Sequence, residues 1–282
     1  MENNNPLAKY FRQPGLTCRL PSRGLFQAKD NVRFTATGEL SVLPMRAADE
    51  LLLKSPDALM SGMAIEKVIA SCCPDIKDVM QLPTQDIDTL LLAIRSATYG
   101  PIMTVTTDCP ECETENEYDF DLSHILDTIV DLEEEYVVRL NDEIVVYMRP
   151  FNFKNSTQAS LVAYQEARKV HLADNEHTTD EEKQRQLNSS YDRINVMNVQ
   201  MIADCVERVV VPEGEIVDRK HISDFVHNIE QKWVGMLEAK LKSVNTAGVT
   251  KNHQVHCSNP ECGHEWETTV DFDPASFFGQ GS

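Results

Sequence analysis

The sequence has few basic residues for its acidic content, with 26 lysines and arginines against 45 aspartates and glutamates in 282 residues. The formal charge of −19 opposes contact with phosphate backbones, so we do not expect a nucleic-acid partner. Long apolar runs are also missing, since none approaches the ~20 residues that a membrane helix needs. The first residues lack the basic and apolar parts of a secretory signal, so we expect folding in a cytoplasm and no membrane partner.

Motifs of catalysis are missing as well. The chain contains no Gly-x-Ser-x-Gly, no Gly-x-x-x-x-Gly-Lys, no His-Glu-x-x-His and no glycine-rich cofactor loop. Its scattered histidines have no partners that the sequence identifies, which favours surface or core positions. We therefore expect no catalytic residues and no enzymatic activity.

Cysteine is the informative residue type that is present. Four of the eight cysteines form two clusters, Cys109-Pro-Glu-Cys112 and Cys257-Ser-Asn-Pro-Glu-Cys262. Two thiolates on a tight turn make half of a tetrahedral zinc site, and two such turns complete a closed four-sulfur shell. The spacing predicts one structural zinc bound by Cys109, Cys112, Cys257 and Cys262. His256 and His264 lie beside the second cluster, and either could replace one cysteine as a ligand.

Other roles for these thiols are weaker hypotheses. A redox Cys-x-x-Cys opens a helix, whereas Cys109 follows the strand-like residues 103–107. A catalytic metal needs an exchangeable position, which four sulfurs do not leave. The alternative without metal binding is that the four cysteines are unrelated buried residues, or that they form a site that has lost its metal. The other cysteines have no framework spacing, so we expect buried thiols without disulfides at Cys18, Cys72, Cys73 and Cys205.

The chain also repeats an order of elements, and we predict an α+β fold of two related halves. Each half runs from a strand-like stretch (38–46, then 142–150) through helices to a cysteine hairpin. The helix before the first hairpin is predicted from Thr84, as N-cap, to Gly100, and its counterpart from near Ser223 to Leu241. The two cysteine hairpins would join the halves as a zinc-ribbon-like pair.

Shorter elements follow from caps and breakers. We predict helices over 47–54, 56–60 and 64–73, and a strand near 17–20 that pairs with 39–45. An insertion in the second half begins at a capping box of Thr179 and Glu182 and continues as a helix that stops at 211–214. Its apolar stripe is predicted to face the core, and comprises Leu187, Tyr191, Ile194, Met201, Cys205 and Val209.

These patterns divide the chain into a tail (1–15), a first half (16–130), a second half (131–275) and a second tail (276–282). Trp266 and Phe272 are predicted to pack inside the second hairpin. Phe277 and Phe278 could either anchor in a neighbouring protein or fold back onto the core.

Scattered positions in the first half resemble the baseplate hub proteins of T-even-like contractile-tailed bacteriophages. The matching residues are 20–24, 51–53, 75–79 with Leu82, 86–88, 90–95, Ser96 and Gly100. The resemblance implies a non-enzymatic virion protein of the tail baseplate hub, assembled in the host cytoplasm. Its partners would be other hub, tail tube or wedge proteins.

Two alternatives stay open at this point. The protein could be an assembly chaperone that is absent from the mature virion, or, less in keeping with the charge, a zinc-ribbon nucleic-acid adaptor. Acidic residues crowd both cysteine turns, which disfavours the adaptor.

Overall fold

The structure is a computed structural model that describes residues 6–173, 179–270 and 277–278. In the first half, short elements precede one long helix and a hairpin. The strands are β1 (Leu16–Cys18), β2 (Leu40–Val42), β3 (Ile102–Asp108) and β4 (Glu115–Asp121). The helices are α1 (Ala47–Leu53), α2 (Pro56–Met60), α3 (Met63–Cys72), α4 (Thr84–Tyr99) and α5 (Leu122–Asp127), with 3-10 turns at Ala8–Tyr10 and Val79–Gln81.

Local sequence explains most of these boundaries. Ser55 caps α2 by accepting a hydrogen bond from the Ala58 amide, with Pro56 at the first helical position. The three predicted short helices are confirmed to within a residue. The predicted pairing of β1 with β2 is also confirmed, and the structure makes it antiparallel. Helix α4 starts one residue earlier than predicted, because Pro83 takes the N-cap and the Thr84 amide donates to the Phe151 carbonyl, 2.9 Å away.

Helix α4 lies at the centre of the first hydrophobic core. The core packs around it on all sides, since α4 buries eleven of its residues rather than one stripe. Residues from the end of the chain join the same core, among them Val249, Val270, Phe277 and Phe278. Phe277 and Phe278 therefore fold back onto the molecule. Phe272 lies outside the described residues, as do 1–5 and 279–282 of the predicted tails.

The second half places a sheet and a helical hairpin before its cysteine hairpin. Its strands are β5 (Tyr136–Arg139), β6 (Val145–Met148), β7 (Val206–Val211), β8 (Gly214–Ile216), β9 (Asn252–His256) and β10 (Glu265–Thr269). Its helices are α6 (Phe153–Ala173), α7 (Asp180–Cys205), α8 (Arg219–Asn228) and α9 (Gln231–Val244). The first four strands form an antiparallel sheet in the order β5-β6-β7-β8, and α7, α8 and α9 supply apolar side chains to a second core over it.

Three predictions for the second half are wrong in detail. Helix α7 has the predicted capping box, but it ends at Cys205, because the β-branched run from Val206 to Val211 pairs with β6 as a strand. The single helix predicted from Ser223 to Leu241 is two helices, α8 and α9, separated at Ile229 and Glu230.

The predicted core stripe of α7 is the third miss. Leu187 is 36% exposed and Tyr191 58% exposed, although Cys205 at the other end of the stripe is fully buried. The apolar stripe continues along the outer part of α7, where no core formed by the described residues covers it, and the periodic pattern alone does not reveal this difference. The mixed helix and strand content confirms the α+β prediction, whereas the division into domains stays a prediction.

Candidate metal centre

Two antiparallel hairpins carry the clustered cysteines. Strands β3 and β4 pair from Ile102 opposite Asp121 to Asp108 opposite Glu115, and the first cysteine turn connects them. Strands β9 and β10 pair up to His256 opposite Glu265, and the second turn connects those. Each first cysteine directly follows a strand, as the alternating residues before Cys109 predicted.

The two turns share two backbone features, although the second turn is two residues longer. The Cys109 amide donates to the Thr114 carbonyl at 2.9 Å, and the Cys257 amide donates to the His264 carbonyl at 2.8 Å. The residue after the second cysteine is left-handed in both turns, with φ of 57° at Glu113 and 58° at Gly263. This conformation reverses the chain so that both sulfurs of a turn face the same side.

Backbone amides point at three of the four sulfurs. The amides of Thr114, Asn259 and His264 donate to Cys112, Cys257 and Cys262, in each case two residues after the cysteine. The Thr114 hydroxyl lies 3.2 Å from the Cys112 Sγ and, together with the Thr114 amide, lowers the pKa of Cys112 to about 6. At Cys112 these hydrogen bonds favour the thiolate, which is the form that binds metals. Burial raises the pKa of Cys257. At Cys262 the His264 amide lowers the pKa, but burial and the neighbouring thiols outweigh it and raise the pKa to about 12.

The turns bring all four sulfurs together. The Sγ atoms of Cys109, Cys112, Cys257 and Cys262 lie within 4.8 Å of one another. Across the two turns, Cys109 is 3.9 Å from Cys262 and Cys112 is 3.6 Å from Cys257. A tetrahedral ion with metal–sulfur bonds of about 2.3 Å separates its ligands by about 3.8 Å. The donor set therefore fits a closed tetrathiolate metal site.

Side chains outside the turns hold the hairpins against each other. The buried Asn116 accepts a hydrogen bond from the Ser258 amide at 2.7 Å, and Tyr118 donates to the His256 carbonyl at 2.7 Å. The Tyr118 ring also meets Trp266 edge to face, with centroids 6.1 Å apart. The sequence did not single out Asn116; its only signal is an amide on a strand of otherwise acidic and aromatic residues. These contacts align the turns independently of a metal.

The histidines beside the second turn are not members of the thiol cluster. Among the described residues, the group of metal-binding side chains within 4.8 Å consists of the four cysteines. The His264 ring instead stacks on Trp266, with centroids 6.0 Å apart and the planes inclined by 14°. His256 contributes its carbonyl oxygen to Tyr118.

The surface around the cluster is acidic. All the carboxylates on the turns and adjoining strands are exposed, namely Asp108, Glu111, Glu113, Glu115, Glu117, Asp119, Asp121, Glu261, Glu265 and Glu267. Such a surface repels phosphate and attracts basic groups. In the described ranges no helix combines the length and apolar character required to span a bilayer.

Fold and site together define an α+β protein in which a cluster of thiols connects two segments that are remote in sequence. The model of one known family, described as T4 bacteriophage base plate protein, matches residues 33–279, and the chain belongs to this family. The resemblance seen in the first half is thereby confirmed at the level of the baseplate. No curated protein and no solved structure matches the chain significantly.

Proposed function

We propose that this protein is a non-enzymatic component of the baseplate hub in a phage tail, and that one structural zinc at Cys109, Cys112, Cys257 and Cys262 stabilises it. The convergence of four sulfurs from turns about 150 residues apart is the observation that supports the zinc. The family supports the baseplate. The hub position rests on the resemblance in the first half.

The donor set explains why the metal would be structural. Four thiolates enclose a closed-shell cation and leave no position for water or substrate, so the ion serves as a cross-link. Two-stranded hairpins are marginally stable on their own, and the metal would fix the end of each hairpin farthest from the core. A rigid pair of hairpins then presents a constant surface to neighbouring subunits.

Charge would select those neighbours. The exposed carboxylates on both turns complement basic surfaces on other hub, tail tube or wedge proteins, and they speed encounter at low ionic strength. Assembly in the host cytoplasm suits the site, because reducing conditions keep the thiols available to the metal.

Metal analysis tests the zinc. Protein purified without chelators should contain one zinc per chain, and a chelator that removes it should lower the thermal midpoint. A protein that holds no zinc, and whose Cys257→Ser variant melts like the wild type, would refute this part of the proposal. Iron in place of zinc would change the identity of the ion and keep the cross-link.

Composition of purified tails tests the hub role. Quantitative mass spectrometry should find the chain at a fixed stoichiometry to baseplate proteins, and cross-linking should join it to the hub rather than to the periphery. Absence from mature tails would reject the permanent subunit and leave the transient assembly chaperone.

A further inference from the structure

Over residues 154–169 and 181–200, the helical hairpin of α6 and α7 has no fully buried apolar side chain. Within 154–169 and 181–200, the residues at least nine-tenths buried are Glu166 and Ser190. The Glu166 carboxylate accepts hydrogen bonds from Ser190 Oγ at 2.9 Å and Arg193 Nη1 at 3.0 Å, and from Lys169 Nζ at 2.6 Å. A polar contact therefore sets which faces of the two helices meet, and the apolar side chains lie elsewhere.

Those apolar side chains form a heptad seam along α7. Its members alternate at steps of four and three residues, which is the spacing of coiled-coil core positions, and are Leu187, Tyr191, Ile194, Asn198, Met201 and Cys205. We call the first four the α7 seam. At the inner end Cys205 is fully buried in the second core, whereas Leu187, Tyr191 and Asn198 are exposed. The pattern of a packed helix thus continues beyond the part of α7 that is covered.

Small residues of α6 line the same side of the hairpin. Ser190 of α7 faces Glu166 of α6, and each residue of a helix is turned by about 100° from the one before it. Measured about each helix axis from these two contact residues, the α7 seam and a row of alanines on α6 both lie about 20–100° away, on the same side of the hairpin. The row recurs every four residues and consists of Ala159, Ala163 and Ala167. At its inner end this trough opens into a groove of ≈ 910 Å³, where Ala159 and Met201 are both lining residues.

Charge distinguishes this strip from the rest of the chain. Residues 184–200 contain one acid and two bases, Asp192 with Arg185 and Arg193, in a protein with a formal charge of −19. Amides flank the α7 seam at Gln184, Asn188 and Asn195. Two copies of this protein repel each other over most of their surface, but they can approach along this strip without like-charge contact.

We propose that a second copy of this chain covers the α7 seam, so that two hairpins pack antiparallel about a twofold axis as a four-helix bundle. Leu187 and Tyr191 of one copy would fill the space above the alanine row of the other, which places large residues against small ones. The antiparallel arrangement keeps the two acidic bodies at opposite ends of the bundle.

Sedimentation of the full-length protein tests the dimer. The wild type should be a concentration-dependent dimer, and the double variant Leu187→Glu with Tyr191→Glu should weaken it at least about a hundredfold, because both charges enter the interface. Val196→Glu is the matched control: Val196 is 62% exposed on another face of α7, so this variant should stay dimeric. A wild type that is monomeric at every concentration, as it would be if another baseplate protein covers the seam, overturns the proposal.

Photo-crosslinking keeps the test valid if the double variant loses its fold. A benzophenone amino acid at position 191 of the otherwise wild-type chain should give a crosslinked dimer, and the same group at position 196 should not. Equal crosslinking at both positions, or none at 191, overturns the antiparallel seam contact.

Discussion

The two cysteine turns share a closing hydrogen bond and a left-handed residue although the second is two residues longer, whereas the helices before them differ in how they are buried. Helices α4 and α9 bury apolar residues at matching steps, for example Leu90 and Ile94 in α4 and Leu237 and Leu241 in α9. Yet α4 is enclosed on all sides, and α9 buries a single stripe. The four sulfurs must meet at one point, which fixes the backbone of the turns closely. The packing around a helix can instead be satisfied by different sets of buried side chains.

Helix α4 uses its additional buried groups to hold the second half of the chain. Arg95 donates to the Phe277 carbonyl at 2.5 Å, and Asp88 pairs with Lys251 at 2.6 Å, just before β9. Gly248, with a φ of 95°, passes so close to α4 that an added Cβ would lie 3.0 Å from the Gln85 Cβ. The first half is therefore the platform on which the second cysteine hairpin rests.

Removing one cysteine from either turn should have the largest effect. If both turns serve one ion, Cys109→Ser and Cys257→Ser should each release the metal and cost more than about 4 kcal/mol of unfolding free energy, as losses of a metal site do. Denaturant unfolding with metal analysis measures both quantities. Cys205→Ala, which removes a buried thiol of the second core, should retain the metal. A variant of one turn that still binds zinc tightly would show that the turns are not equivalent.

The buried carboxylate of α4 should make stability depend on pH. Asp86 is fully buried, with Ser22 as its hydrogen-bond partner at 2.9 Å (amide) and 2.5 Å (hydroxyl), and burial raises the pKa of Asp86 to about 7. Because the folded chain binds the Asp86 proton more tightly than the unfolded chain does, the protonated carboxyl stabilises the fold in full below about pH 4. This contribution is lost as pH rises to about 7, by about 1.4 kcal/mol per unit.

Replacement of Asp86 separates this effect from the general charge of the protein. Asp86→Asn should be more stable than the wild type at pH 8 and should remove most of the slope between pH 4 and 7, measured by denaturant unfolding. Asp142→Asn, at an exposed turn, should leave the slope unchanged. If the free energy of unfolding of Asp86→Asn still falls between pH 4 and 7 as in the wild type, burial of Asp86 in α4 is not the cause of the pH dependence.

Asn116 sharpens the comparison of the turns, because it bridges them. Asn116→Ala removes two hydrogen bonds of a buried side chain, one accepted from the Ser258 amide and one donated to the Thr114 carbonyl, and should cost about 1–3 kcal/mol. Asn259→Ala is the matched change in the second turn. Its side chain accepts from the Glu261 amide of its own turn and reaches the first turn only through a long contact of 4.0 Å to the Cys112 Sγ, so the loss should be about 1 kcal/mol or less. Equal losses in unfolding experiments would contradict a special role for Asn116.

Patterns of short range predicted much of this molecule. Caps and breakers located α1 to α3, and the cysteine spacing identified four residues whose sulfurs do converge. The exposed outer half of α7 could not be predicted, since periodicity reports one apolar face and not what covers it. The break between α8 and α9 at Ile229 could not be predicted either, because no proline or glycine marks it in the sequence. Asn116 was missed because its partner, Ser258, lies 142 residues away.

The left-handed residue after the second cysteine offers the smallest and most direct comparison. Glu113 adopts this conformation at a cost of about 1–2 kcal/mol relative to glycine, which occupies the same place as Gly263 in the other turn. Glycine loses about 0.5–1 kcal/mol through the entropy of the unfolded chain, so Glu113→Gly should stabilise by about 0.5–1 kcal/mol net.

Gly263→Ala should be destabilising by a similar amount, because an added Cβ meets no atom within 4 Å there and only backbone strain acts. Thermal unfolding of the two variants with metal bound measures the pair. Opposite signs would establish that both turns hold a left-handed residue at this place in solution. A destabilising Glu113→Gly would instead mean that the Glu113 carboxylate makes a contact that offsets the backbone strain, a contact that Gly263 cannot make in the other turn.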